Sequence, residues 1–354
     1  MARAPTLRLR AGGRTFELGG RPWLMGIVNA SPDSFSDAGR HRTLEDRVAL
    51  AAELLKAGAD VIDIGGESGV TGMPAVAAAD EIARVVPLIK RVAGELGALV
   101  SVDTYKPLVA RAAVAAGATI VNDVSGLREP SLADVCARSG AGLVLMHTRA
   151  APKEKLLDQA FDGRVASDVD RFLRERIAAA LERGVAFEQL ILDPGPDFGK
   201  TPAQTVEVLR ALPALHALGR PVLLAVSRKD FVGAITGRPP RARMAGTLAA
   251  IGHGVDAGAH ILRVHDVADV ADFLAVRAAL AGEAQVDPAL RLAGELRREP
   301  SGRGSDEERG GGSREERSGG SREERGGGSR EERGGDSRDG RGGAPRDERR
   351  AAPR

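Results

Sequence analysis

The chain has 354 residues, of which 42% are hydrophobic and only 3% aromatic, so it can bury a sizeable, mostly aliphatic core in one large domain or two ordinary ones. The formal net charge of +2 excludes a strongly basic or acidic protein, and no nucleic-acid or membrane partner is expected. Cys136 is the single cysteine, which excludes an internal disulfide. Since the sequence contains no long apolar segment, it predicts a cytoplasmic protein without a signal peptide or a membrane span.

Two short segments with alternating apolar and polar residues open the chain. Leu7–Arg10 and Arg14–Leu18 lie on either side of the pair Gly12-Gly13. Alternation on both sides of a glycine pair is typical of a β-hairpin. We therefore expect a hairpin at about residues 6–18, ahead of the main fold at about residues 22–285.

Eight short apolar runs follow, separated by segments with helical spacing. Their near-continuous apolarity and β-branched content are typical of parallel strands covered by helices. The runs are Leu24–Asn29, Val61–Gly65, Leu99–Asp103, Thr119–Asp123, Leu143–His147, Leu190–Asp193, Val222–Ser227 and Ile261–His265. Eight strand–helix units predict an α/β fold closed into a (β/α)8 barrel. The alternative is a doubly wound open sheet, but no Gly-x-Gly-x-x-Gly turn opens the first helix, as its dinucleotide-binding version requires.

The helix after the first of these runs has recognisable ends. Thr43 precedes Leu44-Glu45-Asp46 in the pattern of a capping box. Gly58 follows the last helical residues, where glycine supplies a left-handed cap. The apolar stripe expected to face the core consists of Leu44, Val48, Ala51, Ala52 and Leu55.

The composition changes sharply near Glu299. From Gly302 to Arg341 an eight-residue unit recurs as GRGSDEER, GGGSREER, SGGSREER, GGGSREER and GGDSRDGR. These units lack large apolar residues, so they cannot bury enough surface to offset the entropy of ordering. We therefore expect a domain at residues 1–297 and a disordered tail at 298–354. A nucleic-acid contact by the tail is the alternative, which the interleaved acids and the absence of aromatics disfavour.

Hydrogen-bonding and charged residues collect where the predicted strands end. In a barrel these ends converge at one mouth, where the loops that follow the strands form the active site. For Asp123 and Asp266 a role in turn formation is the simpler interpretation. The other residues predict a ligand site, and they are Asn29, Asp63, Glu67, Asp103, Asn122, His147, Asp193, Ser227, Lys229, Arg263 and His265.

The residue types at these ends indicate the chemistry of the ligand. Asp103, Asn122 and Asp193 offer carboxylates and an amide, which suit the amino-amidine edge of a planar heterocycle. Positive charge and donors for a phosphate ester and an anionic co-substrate come from Lys229, Arg263 and His265. A zinc site is not expected, because the sequence has no cluster of Cys and His residues.

At these positions the chain resembles the dihydropteroate synthases. The matching motifs follow in the family's order from about Trp23 to Leu280, and seven motifs in order are far more specific than any one of them. They are Gly26-Ile-Val-Asn-Ala-Ser-Pro-Asp-Ser-Phe-Ser-Asp37, Asp63-Ile-Gly-Gly-Glu-Ser68, Ser101-Val-Asp-Thr104, Val121-Asn-Asp123, Asp193-Pro-Gly195 with Phe198-Gly-Lys200, Ser227-Arg-Lys229 and Arg263-Val-His-Asp266.

The resemblance implies that a dihydropterin pyrophosphate and p-aminobenzoate bind at the mouth of the barrel, in a homodimer. Asn29 would coordinate a Mg²⁺ ion carried by the pyrophosphate, which Arg263 and His265 would also contact. The residues implied to hold the pterin are Asp103, Asn122, Asp193 and Lys229, and Asp63 is a further substrate-binding residue. Those implied to form the p-aminobenzoate pocket are Phe35, Phe198, Ser227 and Lys229.

In the implied reaction, pyrophosphate leaves the exocyclic methylene of the pterin and the aniline nitrogen attacks the resulting cation. The aromatic amine is neutral at physiological pH, so no residue is assigned as an essential general base. The residues implied to be catalytic, through stabilisation of the cation or of the leaving group, are Asp103, Asp193, Lys229, Arg263 and His265.

The second motif departs from the family pattern. Where the family continues as Ser-Thr-Arg-Pro-Gly, this chain has Gly69 to Pro74 after Ser68, without the arginine expected to close over the pyrophosphate. Asp230 also follows Lys229 where a small hydroxyl residue is common. Weaker catalysis is therefore expected, because closing loops complete many active sites.

Three other functions compete with synthesis of dihydropteroate. A pterin-binding paralogue without turnover is favoured by the altered second loop alone. A pterin-binding methyltransferase is disfavoured by Ser227-Arg-Lys229 and by Asp33–Ser36, which resemble the synthase's substrate loops. An interaction protein acting through its tail is the third, and deletion of residues 298–354 should leave catalysis unchanged if the protein is instead a synthase.

Overall fold

The computed structural model describes residues 5–31, 43–69, 72–154, 156 and 158–297. The chain divides into two units, Met1–Pro288 and Ala289–Arg354. The first unit contains the hairpin and the barrel. In the second unit, the described residues include a short 3₁₀ helix at Gly294–Arg297. The segment predicted to be a disordered tail lies outside the described residues.

The N-terminal hairpin is formed as predicted. Its strands are β1, Leu7–Ala11, and β2, Arg14–Leu18, paired antiparallel with Leu7 opposite Leu18. Gly12 and Gly13 provide the turn and both have positive φ angles, of 56° and 76°, which glycine adopts without steric cost.

Eight parallel strands form the barrel. They are β3 Trp23–Asn29, β4 Val61–Gly65, β5 Leu99–Asp103, β6 Ile120–Asp123, β7 Gly142–Met146, β8 Leu190–Asp193, β9 Leu223–Leu224 and β10 Ile261–Val264. The hydrogen-bonded order is β8-β7-β6-β5-β4-β3-β10-β9. A further parallel bridge between Leu192 and Val222 joins the two end strands. The sheet therefore closes, which confirms the barrel over the open sheet, although β9 is shorter than the predicted run Val222–Ser227.

Helices surround the strands. The α-helices are α1 Leu44–Lys56, α2 Ala78–Glu95, α3 Pro107–Ala115, α4 Ser131–Ser139, α5 Val165–Glu182, α6 Pro202–Arg210, α7 Asp230–Thr236, α8 Met244–Asp256 and α9 Val267–Leu280. Further 3₁₀ turns are Gln159–Phe161, Phe187–Gln189, Leu212–Leu218 and Pro240–Ala242. Among the described residues, no helix has both the length and the apolarity needed to cross a membrane.

The predicted start of α1 is confirmed. The hydroxyl of Thr43 accepts a hydrogen bond from the Asp46 backbone N–H at 3.1 Å, and the Asp46 carboxylate accepts one from the Thr43 backbone N–H at 3.1 Å. The predicted apolar stripe needs one correction, because Leu54 is buried where Leu55 was expected, and Leu55 is only half-buried. The Leu54 side chain packs over Gly26 of β3, where the absence of a side chain leaves room for it.

The strands separate two apolar cores. Outward-facing residues pack against the helices, and inward-facing residues fill the interior of the barrel. Leu9, Ala11 and Leu18 of the hairpin belong to the interior core, together with strand residues such as Val61 and Ile261. The hairpin therefore covers the end of the barrel at which the strands begin. The polar residues follow at the opposite end, the mouth.

Truncation of Leu9 tests this role of the hairpin. Leu9 is fully buried, so Leu9→Ala should lower the free energy of unfolding by about 3 kcal/mol through lost burial and a residual cavity. The turnover of the folded protein should stay near that of wild type, because the mouth lies at the other end. Urea denaturation measures the first effect. Arg8→Ala, at the exposed neighbour, is the control, and equal losses in the two variants would contradict the assignment.

Candidate active site

The polar side chains at the mouth come from alternating, inward-facing strand positions. On β4, Val61 lies in the interior core and Asp63 follows two residues later on the same face. Asn122 is likewise two residues beyond the interior residue Ile120. The same spacing applies to Asp193 after Ile191, and to Arg263 after Ile261. Because side chains alternate between the two faces of a strand, these four residues point into the barrel and form one layer of polar groups.

Arg263 joins two carboxylates in this layer. Its Nε donates to Asp63 Oδ2 at 2.6 Å, and its Nη2 donates to Asp103 Oδ2 at 2.8 Å. The amide of Asn122 lies 3.4 Å from the same Asp63 oxygen. Burial opposes the charge of Arg263, but Asp63 and Asp103 outweigh it and raise the pKa of the guanidinium. Arg263 thus belongs to the carboxylate side of the site as well as to the cationic side assigned from sequence.

Two carboxyl groups of the layer titrate near neutral pH. Burial raises the pKa of Asp103 to about 7, against the opposing charges of Arg263 and Lys229. Burial also raises the pKa of Asp193 to about 6, although the Gly195 backbone N–H donates to its Oδ1 at 2.7 Å. Perturbed carboxyl groups that face one cavity are typical of binding and catalytic sites.

Lys229 is a cation within electrostatic range of Asp193 and Arg263. Burial lowers the pKa of its ammonium, which Asp197 and Asp193 partly counteract. Its Nζ lies 4.1 Å from the centre of the Phe198 ring, within the range of a cation–π contact. The structure therefore brings together Lys229 and Phe198, which the sequence predicted to share a pocket.

The segment before Lys229 has a strained backbone. Arg228 has a φ angle of +57°, in the left-handed region that residues with a Cβ seldom occupy. Its Nε donates to Asp266 Oδ2 at 3.0 Å, and its Nη2 also donates to Asp266. Asp266 was expected to form a turn, but its carboxylate instead binds this arginine. Asp123 is the turn former that was predicted, since it accepts from the backbone N–H groups of Ser125 and Leu127 at 2.8 and 2.6 Å.

Ser227 and His265 form a hydrogen-bonded pair. The Ser227 hydroxyl lies 3.0 Å from His265 Nδ1 and accepts from the His265 backbone N–H at 3.2 Å. Burial, reinforced by Arg228 and Arg263, lowers the pKa of His265 to about 3. The imidazole is therefore neutral, and with the Ser227 hydroxyl taken as the donor to Nδ1, the ring proton is assigned to Nε2. Ser227 thus orients His265, a contact that the sequence did not predict.

Asn29 and Phe35 are the predicted site residues of the first motif. Asn29 is the half-buried last residue of β3, beside Gly65 of β4. Phe35 lies outside the described residues. Among the described residues, no group of three or more His, Cys, Asp or Glu side chains could hold a metal ion. Within the described part of the first motif, Asn29 could offer Mg²⁺ one amide oxygen, and substrate and water would supply the other oxygens.

Glu67, at the base of the second loop, is surrounded by cations. Its Oε2 lies 2.5 Å from Lys106 Nζ, and its Oε1 lies 3.1 Å from Lys153 Nζ. Burial opposes ionisation, but the hydrogen bonds from Lys106, Val76 and Lys153 outweigh it and lower the pKa of Glu67. The carboxylate is therefore ionised and anchors the loop.

Lys153 reaches this loop from the segment after β7. Its ammonium also donates to the carbonyl of Ser68, and its own carbonyl accepts from the Gly72 backbone N–H at 3.0 Å. The second loop itself contains no Lys or Arg, as noted from the sequence. The sequence did not show that Lys106 and Lys153 approach the loop from elsewhere in the chain.

Asp197 is a further residue that the sequence did not single out. Its Oδ2 accepts from the Phe231 backbone N–H at 3.1 Å, and its Oδ1 accepts from the Thr205 hydroxyl at 3.0 Å. Phe231 belongs to the first turn of α7, directly after Lys229. The Asp197 carboxylate therefore links the segment after β8 to the start of α7, in the segment after β9. This link holds the part of the site that carries Asp193 close to the part that carries Lys229.

Comparison with known proteins agrees with this geometry. The family described as pterin binding enzyme matches residues 25–265. A dihydropteroate synthase of Bacillus subtilis (strain 168) is 43% identical over 249 residues, which are 70% of this chain and 85% of that protein. A structure of the Xanthomonas albilineans dihydropteroate synthase with 4-aminobenzoic acid is 46% identical with a TM-score of 0.71, and the match covers 78% of this chain and 99% of the other.

A second structure of the Xanthomonas albilineans protein is in complex with 7,8-dihydropteroate. It is 46% identical with a TM-score of 0.68, and the match covers 77% of this chain and 98% of the other. The barrel and its polar mouth are therefore those of a pterin-binding enzyme. Within this class the chain belongs to the dihydropteroate synthases, transferases of folate biosynthesis, which confirms the resemblance seen in the motifs.

Proposed function

We propose that the chain condenses (7,8-dihydropterin-6-yl)methyl diphosphate with 4-aminobenzoate to give 7,8-dihydropteroate and diphosphate. The observation that carries the proposal is the single layer in which Arg263 donates hydrogen bonds to Asp63 and Asp103, and Asn122 donates one to Asp63. Its relatives are named for the same reaction, and their solved structures hold 4-aminobenzoic acid and 7,8-dihydropteroate.

The carboxylates would recognise the amino-amidine edge of the pterin. A carboxylate accepts two parallel N–H bonds, and an amide can donate and accept at once. Asp103 and Asp193 would therefore fix the plane of the ring, with Asn122 between them. As the diphosphate leaves, positive charge develops on the exocyclic methylene and spreads into the ring. Ionised carboxylates beside the ring would stabilise this charge.

The cationic side of the site would receive the leaving group. The C–O bond between methylene and diphosphate breaks, and both electrons leave with the diphosphate oxygen. Arg263 and the Nε2–H of His265 would donate hydrogen bonds to that group. We also propose that Asn29 would hold a Mg²⁺ ion, which would supply further neutralising charge for the diphosphate.

The aromatic amine would bind beside Lys229 and Phe198. The Lys229 ammonium suits the carboxylate of 4-aminobenzoate, and the Phe198 ring offers an apolar surface to its benzene ring. A bond then forms between the amine nitrogen and the methylene carbon, and one N–H proton passes to water or diphosphate. Positioning of the amine supplies most of the rate enhancement at this step. Phe35 and Ser227 remain proposed members of the same pocket.

The raised pKa values of the two carboxyl groups predict the pH dependence of the reaction. Protonation of Asp193 or Asp103 removes an acceptor for the pterin, so kcat/KM for the pterin diphosphate should fall by about tenfold between pH 7 and pH 6, where Asp103 protonates, and more steeply below pH 6, where Asp193 protonates as well. It should rise through pH 6 to 7. His265 stays neutral in this range, because its pKa is about 3. Steady-state rates between pH 5 and 8 test this, and a flat profile would contradict it.

Release of diphosphate tests the proposed function directly. The full chain is supplied with the pterin diphosphate, 4-aminobenzoate and Mg²⁺, and diphosphate is measured with a coupled assay. Release that requires 4-aminobenzoate supports the synthase. Intact binding of pterin without turnover would instead indicate a paralogue that lost catalysis through the altered second loop.

Further features of the protein follow as proposals from the sequence and the family. We infer a homodimer, a cytoplasmic location and no nucleic-acid partner. The domain would end near residue 297, with residues 298–354 as an appendage that takes no part in the reaction.

A further inference from the structure

Lys200 is a buried cation beneath the active site that takes no part in the reaction described above. Its residue surface is only 3% exposed. Its Nζ lies 2.8 Å from the carbonyl oxygen of Gly195 and 3.2 Å from that of Phe198. On its other side the same atom lies 2.7 Å from His147 Nδ1 and 3.3 Å from the His147 carbonyl oxygen. Four acceptors therefore surround a group that has three N–H donors.

The partner of Lys200 on β7 is a neutral imidazole. Burial, reinforced by the charge of Lys200, lowers the pKa of His147 to about 3. Because Nδ1 accepts from Lys200, the ring proton lies on Nε2, which is 3.2 Å from Asp168 Oδ2. Asp168 belongs to α5 and is ionised, since hydrogen bonds from Arg171 and His147 outweigh its burial and lower its pKa. A hydrogen-bonded chain thus runs from Lys200 through His147 to α5.

The contacts of Lys200 reach Asp193 through the turn at Gly195. The Gly195 backbone N–H donates to Asp193 Oδ1 at 2.7 Å. Gly195 has a φ angle of +63°, and a Cβ placed there would lie 2.0 Å from the His147 carbonyl oxygen. The turn is therefore pressed against the end of β7, where the His147 backbone N–H also donates to the Asp193 carbonyl at 2.8 Å.

A second set of contacts reaches the proposed pocket for the aromatic amine. The Lys200 ammonium donates a hydrogen bond to the carbonyl oxygen of Phe198, and this bond fixes the backbone of that residue. The Phe198 backbone N–H in turn donates to the Gly195 carbonyl at 3.1 Å. The Lys229 ammonium lies 4.1 Å from the centre of the Phe198 ring. One ammonium thereby fixes the backbone on which both the pterin acceptor and the aromatic surface depend.

We propose that Lys200 is a positioning residue of the synthase reaction, which holds residues 194–199 so that Asp193 meets the pterin and Phe198 meets the aromatic amine. The proposal rests on the proposed function. It assigns Lys200 no contact with either substrate. A residue that orients groups in contact with substrate commonly affects activity by about ten- to a hundredfold.

The charge of Lys200 gives the proposal a distinctive pH signature. Burial lowers the pKa of Lys200 itself to about 7, so its charge is already partly lost at neutral pH. The charged groups that act on it, besides the neutral His147, are Asp193, Lys229, Asp168 and Asp197. Those that favour the ionised form of Asp193 are Lys229, Lys200 and Arg263. Loss of Lys200 should therefore raise the pKa of Asp193 further and move the acidic limb of kcat/KM to higher pH.

Lys200→Met in the full chain tests the proposal, because methionine fills the space without donors or charge. We expect kcat to fall, and KM for 4-aminobenzoate to rise, each by about tenfold or more, with the acidic limb displaced upward. Lys200→Gln keeps N–H donors without the charge and should recover part of kcat and KM but not the displaced limb. Lys90→Met, at an exposed lysine of α2, is the control and should match wild type.

The outcomes separate this proposal from the proposed function. Wild-type diphosphate release, measured in parallel, tests the function alone, and calorimetric binding of 7,8-dihydropteroate compares the variants without requiring turnover. Folded Lys200→Met protein with wild-type kcat, KM, product affinity and pH profile would overturn the positioning role. Failure of both Lys200 variants to fold would assign the residue to folding, and would overturn it equally.

Discussion

Asp193→Asn should lower kcat/KM for the pterin diphosphate by about 10²- to 10³-fold. Asparagine keeps the shape of the side chain and can still accept from the Gly195 backbone N–H, which donates to Asp193 Oδ1 at 2.7 Å. It cannot carry a negative charge or accept two N–H bonds from the pterin edge. The loss should therefore appear in catalysis while the fold is retained. Diphosphate release measures the effect.

Asp272→Asn is the matched control for this variant. Asp272 is exposed on α9, so the same chemical change there should leave kcat/KM unchanged. Since the pKa of Asp193 is about 6, the difference between Asp193→Asn and wild type should shrink as the pH falls below 6. Equal values of kcat/KM for wild type and Asp193→Asn at pH 7.5 would show that Asp193 is not part of the active site.

Arg263→Met should cause the second large effect, on both stability and activity. Removal of the guanidinium leaves Asp63, which is fully buried, without its cation, and breaking a buried ion pair on one side costs about 3 kcal/mol. Loss of a donor to the leaving diphosphate should lower kcat/KM by about a hundredfold or more. Urea denaturation and diphosphate release measure the two effects.

The loss of unfolding free energy in Arg263→Met should depend on pH. The pKa of Asp103 is already raised to about 7, so the folded protein binds this proton more tightly than the unfolded chain does. Without Arg263 the pKa rises further. The instability of the variant should therefore be greatest above pH 7 and diminish as the pH falls.

Two companion variants make the result specific. Asp63→Asn combined with Arg263→Met removes both charges and should recover part of the stability, but not the activity. Arg238→Met removes an exposed arginine in the segment after α7 and should change neither. Wild-type stability of Arg263→Met at pH 7.5 would show that the ion pair with Asp63 contributes nothing.

The sequence predicted the barrel because the periodic signal repeats eight times. Apolar runs of four to six residues, each followed by a segment with helical spacing, leave few other ways to cover both faces of a sheet. β9 was the exception, since residues 225–227 continue the apolar run without pairing. The strained Arg228 turns the chain toward the site there, and a pattern of hydrophobicity carries no information about such a turn.

The site was predictable as a set of residues but not as a set of contacts. Strand ends identify Asp103, Asn122 and Asp193, because a barrel brings its strand ends together. Lys153 approaches Glu67 from 86 positions away, and neither residue type nor spacing reveals this. The pairing of Ser227 with His265 is equally a product of the tertiary fold.

The barrel has a seam beside its active site. β9 pairs over only two residues, and between β8 and β9 the described contacts include one bridge, Leu192 with Val222, and the bond from the Leu192 N–H to the Pro221 carbonyl at 2.9 Å. Asp193 flanks this seam on one side and Lys229 on the other. Local opening begins where the fewest ladder bonds must break. The Asp197 carboxylate spans this seam by accepting a hydrogen bond from the Phe231 backbone N–H, so the spacing between the pterin side and the amine side depends on that side chain as well as on the sheet.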